Sequence, residues 1–204
     1  MPRIAEARPS AEPSSAGQKA RYQRILRAAA KHGAANGLER VQMHDVAKDA
    51  GVAIATLYRY FPSKTHLFTA VMAQQVAQLE EATTAADLGQ DPVAAVTEML
   101  IQASRQLLRR PLLANAMMQS NNAAHASTVS DAIRIDSAFR DLILRTLDLD
   151  EPTEHDYRLV RLLEQAWYGV LTQSLNMRVE LADAEADIRL ACTLLLAERS
   201  NAVT

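Results

Sequence analysis

No stretch of the 204-residue sequence approaches the ~20 consecutive apolar positions that a membrane-spanning helix needs, although apolar residues make up 49% of the chain. A soluble protein is expected. There is one cysteine, Cys192, set among leucines as a core residue would be. That excludes an internal disulfide and a thiolate zinc cluster, and it fits a reducing cytoplasm. The N-terminal stretch holds Pro2, Pro9, Pro13, Ser10, Ser14 and Ser15 without the apolar block of a secretory signal, so residues 1–17 are predicted to be a flexible tail and export is not expected. Enzyme signatures are missing as well. There is no Gly-rich phosphate loop, no Gly-x-Ser-x-Gly elbow and no closely spaced His/Glu metal set, and His32, His44, His66, His125 and His155 are scattered. No catalytic residue, metal or cofactor is therefore expected. Two other classes stay open: a catalytic site assembled from distant residues, and a helical adaptor that binds only protein. Turnover of a small ligand would be needed to prefer the enzyme, and salt-sensitive binding to a palindromic duplex would separate a regulator from the adaptor.

Charge is distributed unevenly. Residues 1–66 carry 11 Lys/Arg against 5 Asp/Glu, whereas residues 67–204 carry 11 against 19, which gives +6 and −8. A basic front end on an acidic body suggests that the front end meets a polyanion, with nucleic acid the first candidate. Solvation of an ordinary basic tail is the competing explanation.

Apolar residues recur at 3.6-residue spacing, no alternating strand pattern is present, and Gly and Pro fall where helix ends would lie. The expected fold is all-α. A helix is predicted from about Gln18 to Asn36, stopped by Gly37; short helices from Met43 to Ala50 and from Ile54 to Tyr60; and a long one capped by Ser63 and running to about Glu81. Residues 87–92 read as a loop. Helices are then predicted over Val93–Arg109, Leu112–Gln119, Ser130–Leu147, Thr153–Met177 and Asp183–Ala197, with a soft boundary at Asn121 and Asn122. The predicted organisation is a tail over 1–17, a three-helix domain over 18–66 and a second helical domain over 67–204.

Ala47, Gly51 and Leu57 have the spacing of a helix-turn-helix, with Val46, Ala50 and Val52 as apolar supports. Alanine lets two helices cross closely, glycine reaches the positive φ of a tight turn, and leucine anchors the recognition helix from below. Ile54, Ala55, Thr56, Tyr58, Arg59 and Tyr60 are then expected on the outer face. Hydroxyls there can bond phosphate oxygens, and Ala55 or the Thr56 methyl can meet a thymine methyl in the major groove. Lys64 begins the next helix, where a cation and outward-pointing amides can share one phosphate. Tyr58 and Tyr60 are expected to bury one ring edge and keep both hydroxyls available.

The string from Gly51 to Lys64, GVAIATLYRYFPSK, followed by Leu67 and Phe68, resembles the DNA-binding signature of the TetR family of regulators. The resemblance covers residues 18 to about 70, and the later helices suit that family's variable effector domain. It implies phosphate contacts from Thr56, Tyr58, Tyr60 and Lys64 and base-edge contacts from Gln42, His44, Ile54 and Ala55. His44 departs from the longer polar or cationic residue common there, and Ala55 from a common glycine, so no base preference is carried over. A plain surface histidine is the alternative for His44.

In residues 153–177, Leu159, Val160, Leu162, Leu163, Ala166, Trp167, Val170 and Leu171 circle much of the helix; Ile188, Leu190, Ala191, Leu194, Leu195 and Leu196 do so in the last. Either a monomeric core covers them, or a second chain does so in a four-helix interface. The latter would predict a palindromic operator. Met99, Met117, Met118, Phe139, Trp167 and Met177 are the candidates for an apolar effector pocket, with plain core filling as the alternative. Residues 110–117 and 151–157, with Trp167, resemble a subgroup of the family that represses cholesterol catabolism in actinobacteria. That resemblance implies a repressor released by a steroid-like or acyl-CoA thioester effector. Arg105, Arg109 and Arg110 are candidates for meeting CoA phosphates or form a solvated helix end.

Overall fold

Ser15 starts the first helix, its Oγ accepting the amide of Gln18 at 3.3 Å. In this computed structural model, which describes residues 12–86, 91–126 and 130–197, α1 spans Ala16–Arg40 and so begins two residues ahead of Gln18. Gly37 breaks it at φ 68° and ψ 169°, where the helix stop was expected. The helices α2 (Met43–Asp49), α3 (Ile54–Tyr60), α4 (Lys64–Ala86), α5 (Pro92–Leu108), α6 (Pro111–Ala126), α7 (Ser130–Thr146), α8 (Glu154–Leu175) and α9 (Leu181–Leu195) follow, with no strand among the described residues.

The Ser63 cap read from the sequence is present, and Asp91 and Thr153 cap α5 and α8 as well. Ser63 Oγ accepts the amide of His66 at 3.3 Å, and Asp91 accepts that of Ala94 at 2.9 Å just before Pro92. Thr153 and Asp156 form a reciprocal capping box at the start of α8. α6 departs from expectation: it runs through Asn121 and Asn122 rather than ending near Gln119. Leu113, Ala114, Met117 and Ala124 are all buried along it, and Asn121 is buried too, so packing outweighs asparagine's preference for turns. Residues 87–90 of the predicted loop and 1–11 of the predicted tail lie outside the described residues.

Contacts divide the chain into two compact units, one of Met1–Gln74 with Arg110–Arg134, the other of Gln75–Arg109 with Ile135–Thr204. This is not the division at residue 66 read from the sequence. The first part of α4 and the whole of α6 join the N-terminal helices. In that first unit Ile25, Leu26, Leu57, Phe61, Leu67 and Phe68 are buried together with Gly33. Gly33 marks a close approach, because a Cβ there would lie 2.5 Å from Phe68 Cε1 and 3.0 Å from Leu113 Cδ1. Polar bonds strap α1 to the end of α2. Arg24 Nε donates to the Ala50 carbonyl at 3.2 Å, Lys31 Nζ donates to Asp49 Oδ2 at 2.8 Å, and His32 Nε2 lies 3.3 Å from the same oxygen. The hydrogen bond and charge of Lys31, helped by His32, hold the Asp49 carboxyl below its ordinary range.

In the second unit α5, α7, α8, α9 and the end of α4 enclose Leu79, Val96, Leu100, Ile143, Leu163, Ile188 and Cys192. Burial pushes the Cys192 thiol up, so it stays a neutral core group. Arg105 grips Glu185 bidentately at 2.6 and 2.8 Å, fixing α5 against α9. Trp167 Nε1 donates to Ser104 Oγ at 2.8 Å.

Gly33→Ala should lower stability, because overpacking against a fixed phenyl ring, ~1–3 kcal/mol, outweighs a helix-propensity gain of ~1 kcal/mol. Gly17→Ala, with nothing within 4 Å of the added methyl, should not. Urea unfolding checks both: the Gly33 variant should melt at lower denaturant than wild type and the Gly17 variant at the same or higher. The Asp49 pair has a pH signature. A carboxyl whose pKa is depressed on folding contributes above its unfolded pKa and stops contributing as pH falls through the folded one. Asp49→Asn should therefore lower the thermal midpoint at neutral pH, and its deficit should shrink in acid, below about pH 4. A deficit of equal size at both would contradict the strap.

Candidate nucleic-acid interface

α2 and α3 are seven residues each, too short to persist unsupported, so everything they present depends on the turn between them and the core beneath. Gly51 sits at φ 63°, in the left-handed region that favours glycine, and the Val52 amide donates to the Ala47 carbonyl at 3.0 Å across the turn. Ala47 and Val46 are buried beneath it, and Leu57 is fully buried under α3. With Leu57 facing inward, Ile54, Ala55, Tyr58 and Arg59 are exposed and Thr56 is half-buried.

Tyr58, 47% exposed, faces outward with them. Tyr60 does not. It is 1% exposed, packed edge-on against Tyr22 with centroids 5.7 Å apart, and its hydroxyl accepts from Arg59 Nη2 at 3.3 Å. The expectation that both tyrosine hydroxyls are available is corrected for Tyr60, because the Tyr22, Tyr60 and Phe61 rings form one cluster in the core of the unit. Arg59 lies over the Tyr60 ring, 5.1 Å from its centroid.

Gln42 precedes α2, exposed and without a side-chain capping bond, and His44 is exposed on the first turn with Asp45 Oδ1 3.8 Å from its Nδ1. Lys64 has a task the sequence did not disclose. Its Nζ donates to the carbonyls of Leu38 and Glu39 at 3.3 and 3.1 Å, tying the start of α4 to the end of α1. These carbonyls follow the break at Gly37 and would otherwise lack intrahelical partners. Arg24, Lys31 and His32 also escaped the reading of this site. Their partners Asp49 and Ala50 lie 17 to 26 residues away, beyond any short-range pattern.

The six effector candidates are divided between the two units. Met99, Phe139 and Trp167 belong to the second unit; there Met99 is buried and the Phe139 and Trp167 rings lie 5.1 Å apart. Met117 and Met118 are buried in the first unit. Met177, just after α8, is 93% exposed at φ 58°, which removes it from any apolar lining. Arg105 is committed to Glu185, while Arg109 and Arg110 are exposed.

A family model described as "Bacterial regulatory proteins, tetR family" matches residues 25–71, and one described as "Tetracyclin repressor-like, C-terminal domain" matches residues 89–195. The HTH-type transcriptional repressor KstR of Mycobacterium tuberculosis is 32% identical over 192 residues, covering 94% of this chain and 87% of that protein. Among solved structures, a TetR transcriptional regulator from Rhodococcus sp. RHA1 matches with a TM-score of 0.83 and 49% identity over 88% of this chain and 97% of that one. FadR of Thermus thermophilus, a TetR-family repressor solved with lauroyl-CoA, shares the fold at a TM-score of 0.65 and 20% identity, over 83% of this chain and 92% of that one. With a turn that needs Gly51, a buried anchor at Leu57 and these matches across both parts of the sequence, the chain belongs to the TetR family of bacterial transcription regulators and is not an enzyme.

Proposed function

We propose that this regulator is a repressor that binds a palindromic operator as a homodimer in the cytoplasm and leaves it when a small apolar effector, steroid-like or an acyl-CoA thioester, binds its second unit. The observation that carries the DNA reading is the outer face of α3, left exposed by the burial of Leu57 beneath it. Gln42, His44, Ile54 and Ala55 are the proposed base-edge contacts. Thr56, Tyr58 and the remaining Lys64 proton are proposed for phosphates. Tyr60 is left out because its hydroxyl is held by Arg59.

Exposed leucines support the dimer. Leu162 on α8 and Leu190 and Leu194 on α9 are each more than half exposed, on helices that pack against each other. Covering the exposed part of each by a second copy of the pair would return on the order of 1–2 kcal/mol apiece. Phe139, Trp167 and Met99 are the proposed effector contacts, and α4, whose residues are shared between the two units, is the proposed route from effector to α3. An acyl thioester suits an apolar lining, KstR is a named repressor, and FadR shows that the fold can hold an acyl-CoA. The effector must bind the released form more tightly to act.

Sequencing the genomic DNA retained by the purified protein tests the first claim: a two-fold symmetric motif is expected, and fragments without enrichment would refute it. On that site, Tyr58→Phe should weaken binding to every variant operator alike, by about 1 kcal/mol, whereas His44→Ala should change the ranking of operators. Gel shifts across single-base variants read both effects, and uniform loss for His44→Ala would leave it a backbone contact. Leu190→Glu with Leu194→Glu should give a monomer in sedimentation and abolish the palindrome shift while helical content is kept; a persistent dimer would place the interface elsewhere.

A further inference from the structure

Helical geometry gives the outer face of α3 a middle and two flanks. At about 100° per residue, Ala55 and Arg59, two positions either side of Leu57, point about 160° away from it, whereas Thr56 and Tyr58, one position either side, stand about 100° from it. Ile54 lies nearer the core side and is 37% exposed. Since Leu57 is fully buried, Ala55 and Arg59 are the side chains set farthest from the core, one turn apart, and both are exposed. A helix laid in a major groove turns its middle to the base edges and its flanks to the phosphate walls. Ile54 and Ala55 carry no hydrogen-bonding group in their side chains, so they can do no more than meet a thymine methyl. Arg59 is then the side chain in the middle of the α3 face that can donate to a base.

Arg59 is also held differently from the cations that brace the fold. Lys31 is paired with Asp49, Arg105 with Glu185 and Arg145 with Glu80, each on a carboxylate. The partner of Arg59 is neutral: its Nη2 donates to the Tyr60 hydroxyl at 3.3 Å, and its guanidinium carbon stands 5.1 Å from the centre of the Tyr60 ring. Tyr60 is 1% exposed and packed with Tyr22 and Phe61, so this perch is fixed by the core. No carboxylate pairs with Arg59 among the described residues, which leaves its charge uncompensated and the rest of its N–H fork unspent. Guanine presents two acceptors, N7 and O6, side by side in the major groove, whereas adenine sets a donor beside its acceptor; a planar fork fits the first and is opposed by the second. We propose that Arg59 determines operator specificity by reading a guanine in each half-site through paired hydrogen bonds to N7 and O6. This rests on the reading of α3 as the groove-facing helix, and it adds the one base that the apolar residues of that helix cannot identify.

Selection of duplexes from a random-sequence pool by the full-length wild type and by Arg59→Ala tests it. The wild-type motif should hold one guanine per half-site whose preference Arg59→Ala loses, with the other positions kept. Gel shifts on that motif should then show that replacing this guanine by 7-deazaguanine, which lacks the N7 acceptor, weakens wild type roughly 10-fold and Arg59→Ala not at all. Arg59→Lys, which keeps the charge and loses the fork, should hold duplex at low salt yet discriminate less between guanine and adenine at the same position. The base analogue leaves the protein untouched, so a wild type indifferent to it at every guanine of the motif overturns the proposal whatever the variants do. An unchanged motif with uniform loss of affinity in Arg59→Ala would make Arg59 a phosphate contact, and the proposal falls while the reading of α3 stands. A wild type that selects no duplex would overturn both.

Discussion

A seven-residue helix exposes more unpaired backbone than it satisfies, so α3 persists only because Leu57 is sealed beneath it. Burying one leucine is worth roughly 1.5–3 kcal/mol, comparable to the cost of nucleating so short a helix. The direction in which Leu57 points fixes the rest of the face. Ile54, Ala55 and Tyr58 are turned outward by helical geometry alone, without hydrogen bonds of their own to hold them. The turn at Gly51 sets the entry angle, and the Arg24, Lys31 and Lys64 contacts fasten α2 and the start of α4 to α1, so the outer face is carried on a braced support. A site that must meet a rigid duplex gains from such support, because side chains fixed beforehand lose less freedom on binding.

The same physics explains what was legible in the sequence. Positive φ at Gly51, helix starts at Ser63 and Thr153, and breaks at Gly37 and Pro111 are local effects, and each leaves a residue-type signal within a few positions. Tyr60 was misjudged because a tyrosine at a helix end looks amphipathic from its neighbours; only the arrival of Tyr22 from α1 makes it part of a ring cluster. The sequence marks Lys64 as a phosphate-binding cation, and its bracing task is not legible there because the Leu38 and Glu39 carbonyls come from more than twenty residues away. Asn121 suggested a boundary by its local preference, and burial along α6 decided otherwise. The methionines were grouped for their adaptability, yet adaptability says nothing of which compact unit each one joins.

Charge segregation acquires a more specific meaning once side chains are placed. The acidic half of the chain keeps its arginines in pairs where they hold helices together, as Arg105 does with Glu185 and Arg140 with Glu164. Arg161 adds its charge to the same Glu164 carboxyl, drawing it down beside Arg140. In the basic front end the pattern is also mixed: Lys31, Lys64 and Arg24 brace the fold, and the exposed face of α3 itself is built mainly from neutral groups. Such a face suits contacts with groove edges more than bulk attraction.

The most direct test of this account is a structure of the chain bound to the operator it selects. The outer face of α3 should lie in the major groove, with Ile54 and Ala55 against base edges, Tyr58 on a phosphate, and Leu57 still buried beneath. A complex in which that face points to solvent, or is covered by protein while another surface holds the duplex, would contradict it.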